Sequence, residues 1–140
     1  MKYLLMWFTA VFMAGCASKE VLKTKAEIVE ASKKGMSHLS VKAFRLRQQA
    51  KERFVLIDVR TEKEFESGHI EGAVWVPRGK LEFKLPKLYS DPEVQLVLYC
   101  RSGARSALAV KALSYVGYKN VIDIDGGIKA WKAAGFPLSR

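Results

Sequence analysis

Short, mostly apolar runs alternate along this chain with helix-favouring segments, and this alternation constrains the fold most strongly. The runs lie at 54–58, 73–76, 94–99 and 121–124. Helices are predicted over 41–51 with Ser40 as N-cap, from the capping box at Thr61 to the stop at Gly68, and over 79–90, 106–116 and 128–134, with a break or kink at Pro86. Strands that are apolar on both faces are typical of parallel sheets covered by helices. The pattern therefore predicts an α/β domain with a buried, mostly parallel sheet.

Composition narrows the class of protein. The 140 residues fit one domain, and 49% hydrophobic with 27% charged residues excludes wholesale disorder and fibrous repeats. Two cysteines and two histidines are too few for a disulfide framework or for a zinc site built from Cys and His, so no metal is expected. The charge of +10 suits an anionic membrane surface or the steering of small anions. Aromatic and basic residues do not interleave, so no nucleic-acid partner is expected.

The N-terminus carries an export signal. Residues 1–15 combine Lys2, an apolar stretch and small residues before Cys16, as in a secretory signal peptide. The segment 13–16 also resembles the lipobox of bacterial lipoproteins, which implies cleavage before Cys16 and lipidation of that cysteine. An uncleaved anchor, or cleavage near Ala17 without lipid, are the alternatives. The expected product is anchored in the bacterial envelope and faces the periplasm, at the outer rather than the inner membrane because Ala17 is not an aspartate.

This interpretation divides the chain into a signal peptide (1–15), a lipidated cysteine with a tether or helix (16–36) and a folded domain (37–140). The middle segment is lysine-rich and has only a thin apolar stripe. It is expected to lift the domain off the membrane or to pack as a helix on its side.

The loop after the run at 94–99 contains the residues suited to chemistry. Cys100 lies where a strand ends, which is where sites form in open α/β sheets. Gly103 permits a tight turn, the N–H groups of the turn and of the next helix make an anion-binding nest, and Arg101 and Arg105 add positive charge. These groups should favour the thiolate form of Cys100, a nucleophile matched to anionic substrates.

The residues around this loop resemble those of the rhodanese domain over about 38–138. The shared marks are Asp58-Val59-Arg60, Glu64-Phe65, Gly68 to Ala73, Pro77, Tyr99 to Ser106, Gly117-Tyr118, Gly126-Gly127-Ile128, Trp131 and Gly135-Phe136-Pro137. Trp75 departs from the pattern, which usually has Asn there. The resemblance implies a rhodanese-like α/β fold, a five-stranded parallel sheet flanked by helices.

The resemblance also implies an activity and a set of site residues. Cys100 would carry sulfur as a persulfide, taking it from thiosulfate and passing it to cyanide or a thiol. The loop Arg101, Ser102, Gly103, Ala104 and Arg105 would bind the anion. No cofactor is needed, and a monomer is expected.

One acidic and one basic residue outside the loop are expected to support it. Asp58 should accept hydrogen bonds from the cysteine loop or pair with a loop arginine. Arg60 should act as a substrate-side cation or form a salt bridge with Glu64 or Glu71. Within the loop, Arg101 should attract the substrate or be solvated, and Arg105 should brace the loop.

Two rival functions remain open at this point. A phosphatase or arsenate reductase would use the same cradle, but the related loop in those enzymes has seven residues, whereas 100–105 has six. A sulfur carrier or docking module would pass persulfide only to a dedicated partner and would not turn over alone.

Overall fold

The computed structural model describes residues 22–140. The predicted signal peptide and Cys16 lie outside these residues. No helix within 22–140 is both long and apolar enough to cross a membrane.

The sheet has five strands, all parallel, in the order β1-β5-β4-β2-β3. The strands are β1 (His38–Leu39), β2 (Val55–Asp58), β3 (Val74–Trp75), β4 (Leu96–Tyr99) and β5 (Val121–Ile124). The most apolar strand, β4, lies in the centre and is buried along its whole length. The predicted fold class, a five-stranded parallel sheet flanked by helices, is confirmed.

Six α-helices connect and cover the strands. They are α1 (Lys25–Lys33), α2 (Val41–Gln49), α3 (Glu62–Glu66), α4 (Leu81–Leu88), α5 (Ala104–Val116) and α6 (Gly127–Ala133), with a 3₁₀ turn at Arg78–Lys80. Ser40 caps α2, and its side chain accepts a hydrogen bond from the Ala43 N–H. Thr61 and Glu64 form the predicted capping box at the start of α3.

Alternating side chains of the central strands supply two cores, one on each face of the sheet. Leu96 and Leu98 of β4 point into one core, and Val97 and Tyr99 point into the other. This division follows from the period of two along a strand. The second core is aromatic: Phe44 packs 5.9 Å from Trp131 and 5.2 Å from Phe54, measured between ring centroids.

The structure differs from the predicted elements in three places. Strand β1 was not identified as a strand, because two residues are too short to show an alternating pattern. Helix α5 begins at Ala104, two residues before the predicted start. Helix α4 contains Pro86, where a break or kink was predicted, and it ends two residues later at Leu88.

The segment 25–33, predicted as a tether or a packed helix, is a helix that lies against α5. Lys33 at its C-terminal end donates to Asp125 at 2.8 Å, in the turn after β5. This contact holds α1 against the carboxyl edge of the sheet, where Cys100 lies.

Replacing Phe44 by alanine should destabilise the domain strongly. Phe44 is fully buried, so Phe44→Ala leaves a cavity, and the expected loss is roughly 3–5 kcal/mol of unfolding free energy. The matched control is Phe83→Ala, because Phe83 is 77% exposed, and its effect should stay within about 0.5 kcal/mol. Guanidinium unfolding followed by circular dichroism measures both. Equal losses in the two variants would contradict the described core.

Candidate active site

Cys100 follows the central strand β4 at the carboxyl edge of the sheet, and it is 1% exposed. It is the free cysteine among the described residues. The N–H of Gly103 donates to its sulfur at 3.2 Å. A thiol that lies at a strand end and accepts a hydrogen bond from a backbone N–H is well placed to act as a nucleophile.

The turn after Cys100 directs the Gly103 N–H towards the sulfur. Gly103 has a φ of 91°, in the left-handed region that favours glycine, and helix α5 begins at the next residue. The first N–H groups of a helix have no acceptor within it and carry partial positive charge. The left-handed Gly103 and the start of α5 therefore place the Gly103 N–H against the sulfur. That the loop and the first turn of α5 bind an anion stays a prediction.

Helix α6 fixes the cysteine loop from the other side. The N–H of Ile128 donates to the Cys100 carbonyl at 2.9 Å, and the N–H of Lys129 donates to the Arg101 carbonyl at 3.1 Å. This approach requires glycine at 127, where a Cβ would lie 2.4 Å from the Cys100 carbonyl oxygen. The carbonyls of Cys100 and Arg101 are thus bound to the N-terminus of α6.

Two arginines flank the loop, and they have different surroundings. Arg101 and Ser102 are exposed, and Arg101 projects towards solvent. Arg105 makes two hydrogen bonds to Glu64, at 2.9 and 2.8 Å, and so ties the start of α5 to α3. The Arg105 guanidinium lowers the pKa of Glu64 to about 2, with further help from the backbone and hydroxyl of Thr61 and against the effect of burial. This geometry agrees with a bracing role for Arg105.

The surroundings of Asp58 and Arg60 differ from the prediction. Asp58 was expected to contact the cysteine loop, and Arg60 to pair with Glu64 or Glu71. Instead the two buried side chains pair with each other at 2.7 Å, and Arg60 also donates to the Gly68 carbonyl at 2.8 Å. Two residues apart at a strand end, they close a local ring that satisfies both buried charges. Because Arg60 is 4% exposed, it is not an open substrate-side cation.

The Asp58–Arg60 pair reaches the cysteine loop indirectly. Tyr99, the residue before Cys100, lies with its ring 5.7 Å from the Arg60 guanidinium carbon. Its hydroxyl accepts a hydrogen bond from the Ile70 N–H at 3.1 Å. Burial, followed by the negative charge of Asp58, raises the pKa of the Tyr99 hydroxyl, which therefore stays neutral. The pair thus supports the residue that precedes the nucleophile.

Three residues near the sulfur were not among the predicted site residues. The Ser106 hydroxyl lies 3.7 Å from the Cys100 sulfur and 3.3 Å from the Asp123 carboxylate. Asp123 is hydrogen-bonded in turn to His38. An acid in an otherwise apolar, buried strand is the sequence signal that could have identified Asp123.

His69 and Trp75 have structural partners. The His69 ring stacks on Phe65 with the centroids 3.9 Å apart, and the Trp75 indole N–H donates to the Arg60 carbonyl at 3.1 Å. Among residues 22–140, no three His, Cys, Asp or Glu side chains converge as metal ligands would.

Replacing Glu64 by glutamine should weaken the brace in a pH-dependent way. The folded pKa of about 2 lies below the ordinary 4.5, so the ionised form stabilises the fold above about pH 4.5, and this contribution is lost as the pH falls towards 2. For a partly exposed pair, Glu64→Gln should cost about 1 kcal/mol at pH 7. Chemical unfolding at pH 7 and pH 3 measures the difference, which should shrink at the lower pH. A constant difference would contradict the assigned cause.

Comparisons with known proteins show which proteins this chain resembles. Over 84 residues, the chain is 38% identical to a sulfurtransferase of Allochromatium vinosum, an alignment that covers 60% of this chain and 77% of the relative. It is 28% identical over 113 residues to a putative sulfur carrier protein, YrkF, of Bacillus subtilis, covering 81% of this chain. The chain spans 60% of the length of that relative.

A solved structure and a family model agree with these relatives. The polysulfide-sulfur transferase homodimer of Wolinella succinogenes superposes with a TM-score of 0.68 at 36% identity, covering 82% of this chain and 85% of that one. The model of the rhodanese-like domain matches residues 40–134, from the cap of α2 to the end of α6. The relatives named above include sulfur-transfer proteins. The chain therefore belongs to the rhodanese-like domain family.

Proposed function

We propose that this protein is a sulfurtransferase that moves sulfane sulfur from thiosulfate, or a similar donor, to a thiophilic acceptor through a Cys100 persulfide. The observation that carries the proposal is the position of the Cys100 sulfur. It lies within 3.2 Å of the Gly103 N–H, at the N-terminus of α5. A backbone N–H aimed at this sulfur stabilises the negative charge that it carries as the attacking thiolate and again as the leaving thiolate.

The first half-reaction loads the cysteine. The Cys100 thiolate attacks the outer sulfur of thiosulfate, an S–S bond forms to Cys100, and the S–S bond of thiosulfate breaks. Sulfite leaves with the electron pair of that bond. The negative charge then lies on the outer sulfur of the persulfide, where Arg101, which projects to solvent, and the loop N–H groups can compensate it.

The second half-reaction discharges it. A cyanide ion or thiolate attacks the outer sulfur, the persulfide bond breaks, and Cys100 leaves as a thiolate. The Gly103 N–H stabilises that leaving group as it did the nucleophile. No cofactor or metal takes part in the proposed reaction, and we expect the protein to act as a monomer.

A sulfur carrier without turnover of its own is the second candidate, and the named carrier relative favours it. Both candidates need a Cys100 persulfide, and they differ in whether small acceptors discharge it. A phosphatase or arsenate reductase would use the same cradle, and activity on an aryl phosphate equal to that on thiosulfate would support it.

We also propose that Cys16 is lipidated after cleavage of residues 1–15. The support is the sequence of the segment and the charge of +10, which favours an anionic membrane surface. Acyl chains combined with basic charge hold a protein more firmly than a single chain does. The domain would then face the periplasm, at the outer membrane.

Thiosulfate should add one sulfur atom to the wild-type protein, and cyanide should remove it. Intact-mass measurement detects both steps, and Cys100→Ser should gain no sulfur because the nucleophile is absent. Cys16→Ala is the matched control, since it removes the other cysteine and leaves the described domain unchanged. Sulfur uptake by Cys100→Ser would refute the nucleophile assignment. Uptake that cyanide cannot reverse would favour the carrier.

Radioactive palmitate should label the wild-type protein in a bacterial host, and the label should be lost in Cys16→Ala. Cys100→Ser is the control here and should label normally. The membrane fraction of a cell extract gives the measurement. An unlabelled wild-type protein would refute lipidation.

A further inference from the structure

A series of close polar contacts leads from the Cys100 sulfur to the protein surface. The Ser106 hydroxyl lies 3.7 Å from the sulfur and 3.3 Å from Asp123 Oδ2. The other carboxylate oxygen of Asp123 is hydrogen-bonded to His38 Nδ1. Asp123 is fully buried, whereas the His38 side chain is 27% exposed, so the series of contacts connects the base of the site with solvent.

We propose that this series of contacts links the protonation of His38 to the charge on Cys100, with His38 and Asp123 acting as positioning residues for the sulfur-carrying cysteine. The inference rests on the proposed function, because that function uses Cys100 as a thiolate. No bond to sulfur forms or breaks in it.

The surroundings of His38 favour its charged form. Both ring nitrogens face oxygen acceptors: Nδ1 faces Asp123, and Nε2 lies 3.2 Å from the carbonyl of Lys33. A neutral imidazole has only one N–H, so only the imidazolium satisfies both contacts while Asp123 is ionised. Lys33 is also the last residue of α1, and the C-terminal end of a helix favours a cation.

Other charges face the same group. The Lys33 ammonium repels a proton on His38, whereas Asp123 and Asp125 attract it. Burial lowers the pKa of His38, but the bonds to Asp123 and to the Lys33 carbonyl outweigh it, and the pKa is raised above 6.5. Burial raises the pKa of Asp123 against the pull of His38. The two groups therefore compete for the proton of the hydrogen bond between them.

Ser106 transmits the state of this pair to the sulfur. Its single hydroxyl proton has three acceptors: the Cys100 sulfur, the Asp123 carboxylate and the Gly103 carbonyl at 3.2 Å. When His38 is charged it neutralises the carboxylate, which lessens the competition for that proton and the repulsion of an anionic sulfur. By linkage, an anionic sulfur must raise the proton affinity of His38 to the same degree.

The test uses the two histidines of the chain as reporter and control. The full-length protein, labelled with ¹³C-histidine and kept in mild detergent, is titrated by NMR as wild type and as Cys100→Ser. His38→Gln assigns the two signals. The affinity of His38 for its proton should fall roughly threefold in Cys100→Ser, because the anion is lost. His69 stacks on Phe65 and does not belong to the series of contacts from Cys100 to His38, so its proton affinity should not change.

The same comparison made in the Ser106→Ala variant tests whether the effect passes through Ser106. In Ser106→Ala the effect of Cys100→Ser on His38 should fall to half or less, and an unchanged effect would overturn the role of Ser106. If Cys100→Ser changes the proton affinity of His38 no more than that of His69, the linkage is overturned. Thiosulfate uptake measured by intact mass on the same wild-type sample separates the two failures. Uptake with no His38 response refutes only this inference, whereas no uptake refutes the proposed function.

Discussion

The cysteine loop depends on the close contact between its carbonyl side and the start of α6. Hydrogen bonds from the N–H groups of Ile128 and Lys129 fix the Cys100 and Arg101 carbonyls on the side of α6. A peptide unit has its N–H opposite its C=O, so the N–H groups of these two peptide units point away from α6. The contact is close enough that any side chain at 127 would collide with the loop. The geometry of the site is therefore set jointly by two helix N-termini, those of α5 and α6.

Most of the fold could be predicted because its signals are local. The central strands 55–58 and 96–99 are apolar on both faces, and the caps at Ser40 and Thr61 depend on residues three positions away. Strand β1 could not be predicted from its own residues, since two residues become a strand only by pairing with β5. The resemblance to the rhodanese domain supplied the number of strands that local patterns alone did not give.

The site, like the fold, has features that local sequence predicts and others that depend on tertiary contacts. The position of Cys100 follows from a strand, a turn and a helix that are contiguous in sequence, and the structure places it as expected. The partners of Asp58 and Arg60 depend on which buried charges lie nearest after folding, and spacing suggested the wrong acids. His38 and Asp123 are 85 residues apart, and the parallel pairing of β1 with β5 places them side by side. Ser106 reaches Asp123 because α5 packs on β5.

The formal charges around the loop are mostly compensated by their neighbours. Arg60 is paired with Asp58, and Arg105 with Glu64. Such pairs brace the loop but contribute little net positive charge to it. In the proposed function, the attraction for an anion beside Cys100 therefore comes from the N–H groups of the loop and α5 and from the exposed Arg101. Peptide dipoles do not titrate and need no counterion. The nucleophile of the proposed reaction is anionic as thiolate and as persulfide, and the charge of the peptide groups is the same in both states.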